Sequence, residues 1–150
     1  EAWSNGWFNT GDIVQTDKFG FLYFVDRKKN IIRRSGENIA AIEIESILNR
    51  HPSIKISAAA AAEDDIRGEE VAIFIILDKD LDTYDTALKI IKWALDEMAY
   101  YKVPGLIKFV NELPLTATQK VRRGDLKKLV KSTQENSEFY DMRSFKRRQL

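Results

Sequence analysis

At 150 residues, with 44% apolar and 31% charged side chains, the chain is long enough for one domain with its own core and has an ordinary globular composition. Its 24 basic and 23 acidic side chains leave a formal charge of +1, so no overall field draws it to nucleic acid or an acidic membrane. Zero cysteines exclude a disulfide framework and thiolate chemistry, and a single histidine argues against a histidine-rich metal site or a serine triad.

In chain order, residues 13 to 25 read as a β-hairpin, with Thr16-Asp-Lys-Phe-Gly20 as its turn and Phe21, Tyr23 and Phe24 expected in core and sheet. A short apolar run, Ile31-Ile32, precedes Ser35-Gly36. The stretch Ala40 to Arg50 places Ile44, Ile47 and Leu48 at helical spacing with Glu43 and Glu45 in its early turns, and His51-Pro52 stops it. Residues 54 to 62 and 71 to 77 are apolar runs of strand length, and the charged segment Glu63 to Glu70, with Gly68, is expected as the hairpin connection. Thr86 to Met98 reads as a second amphipathic helix, Leu106 to Val110 as a third strand, and Gly124 to Ser132 as a last helix with Leu126, Leu129 and Val130 inward. The pattern predicts an α+β fold: a small three-stranded sheet flanked by helices, with an N-terminal β-hairpin. Residues 133 to 150, polar and then basic from Arg143 to Arg148, are expected as a tail or a lash onto a neighbour.

No apolar run approaches the roughly 20 residues a bilayer span needs. Glu1-Ala2-Trp3 has neither the basic start nor the apolar run of a signal peptide, and a cytoplasmic location is expected. The chain opens without Met and reads as a domain cut from a longer protein.

Three short stretches carry chemistry. In Gly6-Trp-Phe-Asn-Thr-Gly-Asp12, the carboxylate of Asp12 either caps its own turn or accepts from a vicinal diol. In Asp26-Arg-Lys-Lys-Asn-Ile-Ile-Arg-Arg-Ser-Gly-Glu-Asn38, Arg27 offers a rigid fork of donors to ribose or phosphate oxygens. Arg27, Lys28, Lys29, Arg33 and Arg34 also read as a solvated basic face; no aromatic platform interleaves them as RNA stacking requires. In Leu113-Pro-Leu-Thr-Ala-Thr-Gln-Lys-Val-Arg-Arg123, Lys120 is either a surface lysine or an ammonium positioned where negative charge accumulates.

In this order and at these separations the stretches resemble the carboxy-terminal part of the adenylate-forming enzymes: acyl-CoA synthetases, nonribosomal-peptide adenylation domains and luciferases. The resemblance runs to about residue 130 and is nearest to the crotonobetaine/carnitine-CoA ligase branch. It implies an ATP-dependent carboxylate–CoA ligase that makes an acyl-adenylate and then a thioester by domain alternation. ATP, Mg²⁺ and coenzyme A are the implied co-substrates, with Mg²⁺ not held by this piece alone. It assigns Asp12 and Arg27 to ATP or AMP, Lys29 to the hinge, Ser35, Gly36 and Glu37 to the approach of the pantetheine arm, and Lys120 to catalysis. Residues 1 to 132 would be the mobile domain, with 1 to 28 ending the preceding subdomain, and the partners would be a large N-terminal domain and a small carboxylic acid. The piece alone is expected to be inactive. Two positions depart from the family pattern: Asn38 stands where acetyl-CoA synthetases place Arg, and Gln119 stands where Gly usually precedes the lysine. Three alternatives stay open: an adenylation domain loading a carrier protein, a luciferase-like oxygenase, and a non-catalytic nucleotide-binding or interaction module.

Overall fold

A computed structural model describes residues 3–79 and 81–146. The chain opens with two small antiparallel pairs, β1 (Trp3–Ser4) with β2 (Trp7–Phe8), and β3 (Asp12–Thr16) with β4 (Leu22–Arg27). A single 3₁₀ turn, Lys28–Asn30, leads into a tight hairpin of β5 (Ile31–Arg34) and β6 (Glu37–Ala40), then α1 (Ala41–Leu48). Two long strands follow, β7 (Ile54–Asp64) and β8 (Gly68–Leu77), and then α2 (Tyr84–Glu97), β9 (Leu106–Phe109), α3 (Arg123–Glu135) and β10 (Tyr140–Asp141).

The antiparallel ladder of β7 and β8 is the spine of a six-stranded sheet. On the free side of β8, β9 runs parallel, pairing Ala72 with Leu106 and Ile75 with Phe109, and α2 is the crossover between them. β10 extends the sheet by pairing with β9, and the β5–β6 hairpin joins at the start of β8 through Arg34 opposite Gly68. Side chains on a strand alternate between faces, and both faces here are covered. Val71, Ile73, Ile75 and Ile107 meet α1 and α2 through Ile44, Leu48, Ile90 and Ile91. Ala72, Phe74 and Leu106 form the other face with Ala58, Ala60 and Ala62, under Leu126 and Val130 of α3. Coverage on both faces is why these strands read as unbroken apolar runs.

The α+β architecture agrees with expectation, and the three expected strands are β7, β8 and β9. The sheet is larger than predicted because its other members are short: β5 and β6 span four residues each and β10 two. The charged stretch from Glu63 is mostly strand, with the turn confined to residues 65–67. Phe21, Tyr23 and Phe24 are exposed, at 65%, 55% and 58%, so they lie in or beside a strand but not in a core. Their two-stranded hairpin has no second layer to pack on. The segment after Ser132 is not a loose tail as far as it is described: α3 continues to Glu135, β10 pairs with β9, and Met142 is fully buried. Hydrophobic residues spaced too sparsely to show a period carry that packing. Arg147 and Arg148, the end of the expected basic tail, lie outside the described residues.

Candidate functional site

Two of the expected site residues meet directly. Asp12 enters β3 from a loop in which Gly11 has φ +72 and donates to Asn9 Oδ1 (2.9 Å), while the Asp12 N–H donates to Thr10 Oγ1 (3.2 Å). The antiparallel register then sets Asp12 opposite Arg27, with Arg27 Nε 3.2 Å from Asp12 Oδ1. The pair is open to solvent, and Asp12 edges a groove also lined by Asn9, Ile13, Lys28, Arg33 and Asn38. One carboxylate oxygen and the four Nη hydrogens of the guanidinium are left for a ligand.

Lys29 sits in the one-turn connection between that hairpin and the sheet. The turn is pinned on both sides. The Lys28 N–H donates to Gly11 O (2.8 Å), and Lys127 Nζ of α3 donates to Lys29 O (2.9 Å). Asp26, buried at the end of β4, accepts from the N–H of Arg27 (2.7 Å) and from Asn30 Nδ2 (3.0 Å) through one oxygen, and from the Ile42 N–H (3.2 Å) through the other. Its carboxylate thereby caps the start of α1, which has no side-chain cap of its own. Sequence reading assigned Asp26 no role; its place directly after an apolar strand was the available signal.

Ser35 and Gly36 are the two central residues of the β5–β6 hairpin, with φ +50 and +86, the conformation of a type I′ turn. A Cβ on Gly36 would meet nothing within 4 Å, so among the described residues it is the positive φ that asks for glycine. Glu37 is exposed beside the turn, opposite Arg34 in register. The Arg33 N–H donates to Glu69 Oε2 (2.6 Å) and the Ser35 N–H to Arg67 O (3.0 Å), rooting the turn on the β7–β8 connection. The reading of 27 to 34 as a solvated basic face holds for Arg27, Lys28, Lys29 and Arg33, which are exposed, and fails for Arg34. Its guanidinium is buried because strand alternation turns it inward, where Nε meets both oxygens of Glu70 at 3.0 and 2.9 Å.

Lys120 stands on a separate hairpin, closed by a bridge between Leu115 and Val121. Thr116 organises it: its N–H donates to Lys120 O (2.7 Å), its Oγ1 accepts from the Lys120 N–H (3.1 Å), and its carbonyl accepts from Gln119 (2.9 Å). Gln119 takes φ +61, a left-handed conformation that glycine adopts without the steric cost a Cβ brings. The Lys120 side chain is exposed and makes no hydrogen bond or ion pair with any described residue, so it does not meet Asp12, Arg27 or the Gly36 turn. Three residues on, Arg123 grips Glu45 of α1 through both Nη atoms (2.5 and 2.8 Å), and its Nη1 also donates to Ala59 O (3.0 Å). Glu45 accepts in addition from the Ala59 N–H (2.8 Å). The loop carrying Lys120 is thus moored to α1 and β7, a tie that sequence reading missed.

No described helix is long and apolar enough to cross a membrane.

Residues 43–120, just over half of the chain, match the family model described as the AMP-binding enzyme C-terminal domain. The 2-succinylbenzoate–CoA ligase of Geobacillus kaustophilus is 36% identical over 135 residues, 90% of this chain and 27% of the relative. The crotonobetaine/carnitine–CoA ligase of Citrobacter koseri is 37% identical over 124 residues, 83% of this chain and 24% of the relative. Among solved structures, the o-succinylbenzoate CoA synthetase of Bacillus subtilis in complex with its acyl-adenylate intermediate superposes with a TM-score of 0.74 at 33% identity, over 84% of this chain and 25% of that one. The chain spans about a quarter of the length of the relatives it matches.

Proposed function

The chain belongs to the AMP-binding enzyme C-terminal domain family, and from that premise we propose that the full-length protein is an ATP-dependent ligase joining a small carboxylic acid to coenzyme A. In the first half-reaction a carboxylate oxygen attacks the α-phosphorus of ATP and pyrophosphate leaves. In the second, the thiol of coenzyme A loses its proton, its sulfur attacks the acyl carbon, and AMP departs. A cytoplasmic setting is compatible with the cysteine-free composition.

The observation that carries this reading is the pairing of Asp12 with Arg27 across one register position, next to a single-turn connection at Lys29. Asp12 would accept from the ribose hydroxyls, and Arg27 would fix that carboxylate while donating to the nucleotide. Lys120, an unpaired ammonium on a moored hairpin, would meet the charge that builds as carboxylate and phosphate approach. Rotation about Lys29 would withdraw Lys120 and bring the Ser35-Gly36-Glu37 turn to the pantetheine arm. Among the described residues no cluster of three or more His, Asp or Glu is placed to hold a metal ion, and Mg²⁺ would be held outside this piece. The other partner would be the large N-terminal domain of the same protein, and the 150 residues alone would turn over no substrate.

Measuring the two half-reactions separately in the full-length protein tests this. Lys120→Ala should lower acid-dependent pyrophosphate exchange by about 10²–10³-fold, while thioester formation from supplied acyl-adenylate stays within about twofold of wild type. Equal loss in both half-reactions would remove Lys120 from its assigned role. Transfer to a carrier protein with no response to coenzyme A would favour the carrier-loading alternative.

A further inference from the structure

We propose that the segment after α3, residues 136–146, is a strap that holds the Ser35–Gly36 turn in position, with Lys146 a positioning residue for thioester formation. The proposal rests on assigning that turn to the pantetheine arm. The strap lies outside the residues matched by the family model.

The strap is built into the domain. Ser137 reverses the chain at φ +55, and the Glu138 N–H returns to Thr133 O (3.0 Å). β10 then pairs with β9, Tyr140 OH donates to Asp82 Oδ1 (2.9 Å), and Met142 is fully buried while its N–H donates to Gly105 O (2.8 Å).

Two separate chains of contacts run from the strap to the root of the turn. In the first, Lys146 Nζ donates to Glu70 Oε1, and Glu70 accepts Arg34 Nε on both oxygens; Arg34 immediately precedes Ser35. Lys146 and Glu70 are both fully buried as side chains. In the second, Arg143 forks onto Asp141 and reaches Asp64 Oδ2 (2.8 Å). Asp64 Oδ1 accepts from the N–H of Arg67 (2.9 Å), whose carbonyl takes the Ser35 N–H (3.0 Å). Gly105 lets both chains pass: a Cβ there would fall 2.6 Å from Glu70 Cδ and 2.9 Å from Arg143 Cγ.

The charges favour a positioning role over a stabilising one. One buried carboxylate faces two buried cations, Arg34 and Lys146, with Arg67 nearby. Burial pushes the Lys146 ammonium down to about 8, against the attraction of Glu70 and helped by repulsion from Arg34 and Arg67. A buried ion pair gains little net stability once its desolvation is counted, and the geometry here ties the strap to β8 and, through Arg34, to β5. Arg143, by contrast, is held charged well above its ordinary value by Asp141 and then Asp64, and those carboxylates ionise more readily than usual. For Asp141 the hydrogen bond from Arg143 is the main cause. For Asp64, burial opposes ionisation but the Arg67 N–H and Arg143 outweigh it.

The test uses the full-length protein with Lys146→Met and, on the more exposed second chain of contacts, Arg143→Gln. In each variant the amides of Arg33 and Ser35 should exchange hydrogen about fivefold faster, the loss expected of one hydrogen-bond-strength tie. KM for coenzyme A should rise by about the same factor, with acid-dependent pyrophosphate exchange within about twofold of wild type. Unchanged amide exchange in both variants would overturn the strap. Faster exchange with both half-reactions slowed equally, or with KM for coenzyme A unmoved, would overturn the role of Lys146 in thioester formation. A wild-type protein that makes no acyl-adenylate would overturn the ligase reading itself, and the amide exchange would still decide whether the strap exists.

Discussion

Gln119 shows how a single backbone angle can stand apart from the chemistry beside it. At φ +61 a side chain with a Cβ crowds the following carbonyl, at a cost of about 1–2 kcal/mol relative to a right-handed conformation. The hydrogen bonds closing the hairpin come from Thr116 and from backbone, so Gln119→Gly keeps every one of them. The glycine gives back part of the gain through extra freedom in the unfolded chain, about 0.5–1 kcal/mol. Net stabilisation of up to about 1 kcal/mol is expected, read as a higher urea midpoint at unchanged slope. A lower midpoint would mean that the glutamine side chain makes a contribution not visible in its contacts. Gly36 and Gly105 divide the two reasons for glycine between them: the first sits in open space at a positive φ, the second has no room for a methyl group.

Between elements, the tie that most shapes the candidate site joins the first residue of α3 to the middle of α1 and to β7. Arg123 and Glu45 are 78 positions apart, so no periodicity or local spacing could have joined them. Elements with a period or a stop signal were legible: α1 is over at Leu48, just ahead of the expected stop at His51-Pro52, and β7, β8 and β9 announced themselves as apolar runs. The short strands β5, β6 and β10 were not, because each mixes polar with apolar side chains over two to four positions, whereas β9, equally short, stands out as a mostly apolar run. Arg34 was hidden for the opposite reason, an inward residue embedded in a basic run whose other members face water. At the candidate site, the motif order nominated Asp12, Arg27 and Lys120, but Asp26, Arg123 and Lys127, which hold the loops in place, follow only from the fold. Side chains of Arg123 and Glu45 are 20% and 10% exposed, so the pair is screened only in part. Arg123→Met should cost about 2–3 kcal/mol by leaving Glu45 short of its partner in a poorly hydrated place. Adding Glu45→Gln to that variant should recover part of the loss, a coupling of about 1–2 kcal/mol in a double-mutant cycle of denaturation midpoints. Simple additivity would show that the fork contributes nothing of its own.

Across the whole molecule, exposed apolar surface is distributed unevenly. Trp3, Trp7, Phe8, Phe19, Phe21, Leu22 and Phe24 all lie in the first 24 residues, each more than half exposed, whereas the six-stranded sheet is covered on both faces. A contiguous stretch with so many large exposed apolar side chains is unlike the surface of a self-sufficient domain. The described ties from this stretch to the residues after Phe24 include the end of the β3–β4 ladder at Asp12–Arg27 and Ile13–Asp26, the Arg27–Asp12 ion pair, and the Lys28 N–H to Gly11 O. The bracket made by Asp26 lies on the far side of them and would survive their loss. A chain beginning at Val25 should therefore melt within about 5 °C of the 150-residue chain, the shift that one to two kcal/mol produces at this size. It should also stay monomeric in sedimentation velocity at concentrations where the longer chain self-associates through its exposed rings. If the shortened chain instead melts far lower, the first 24 residues are part of the cooperative unit, and the pivot proposed at Lys29 would have to break a folded domain in order to turn.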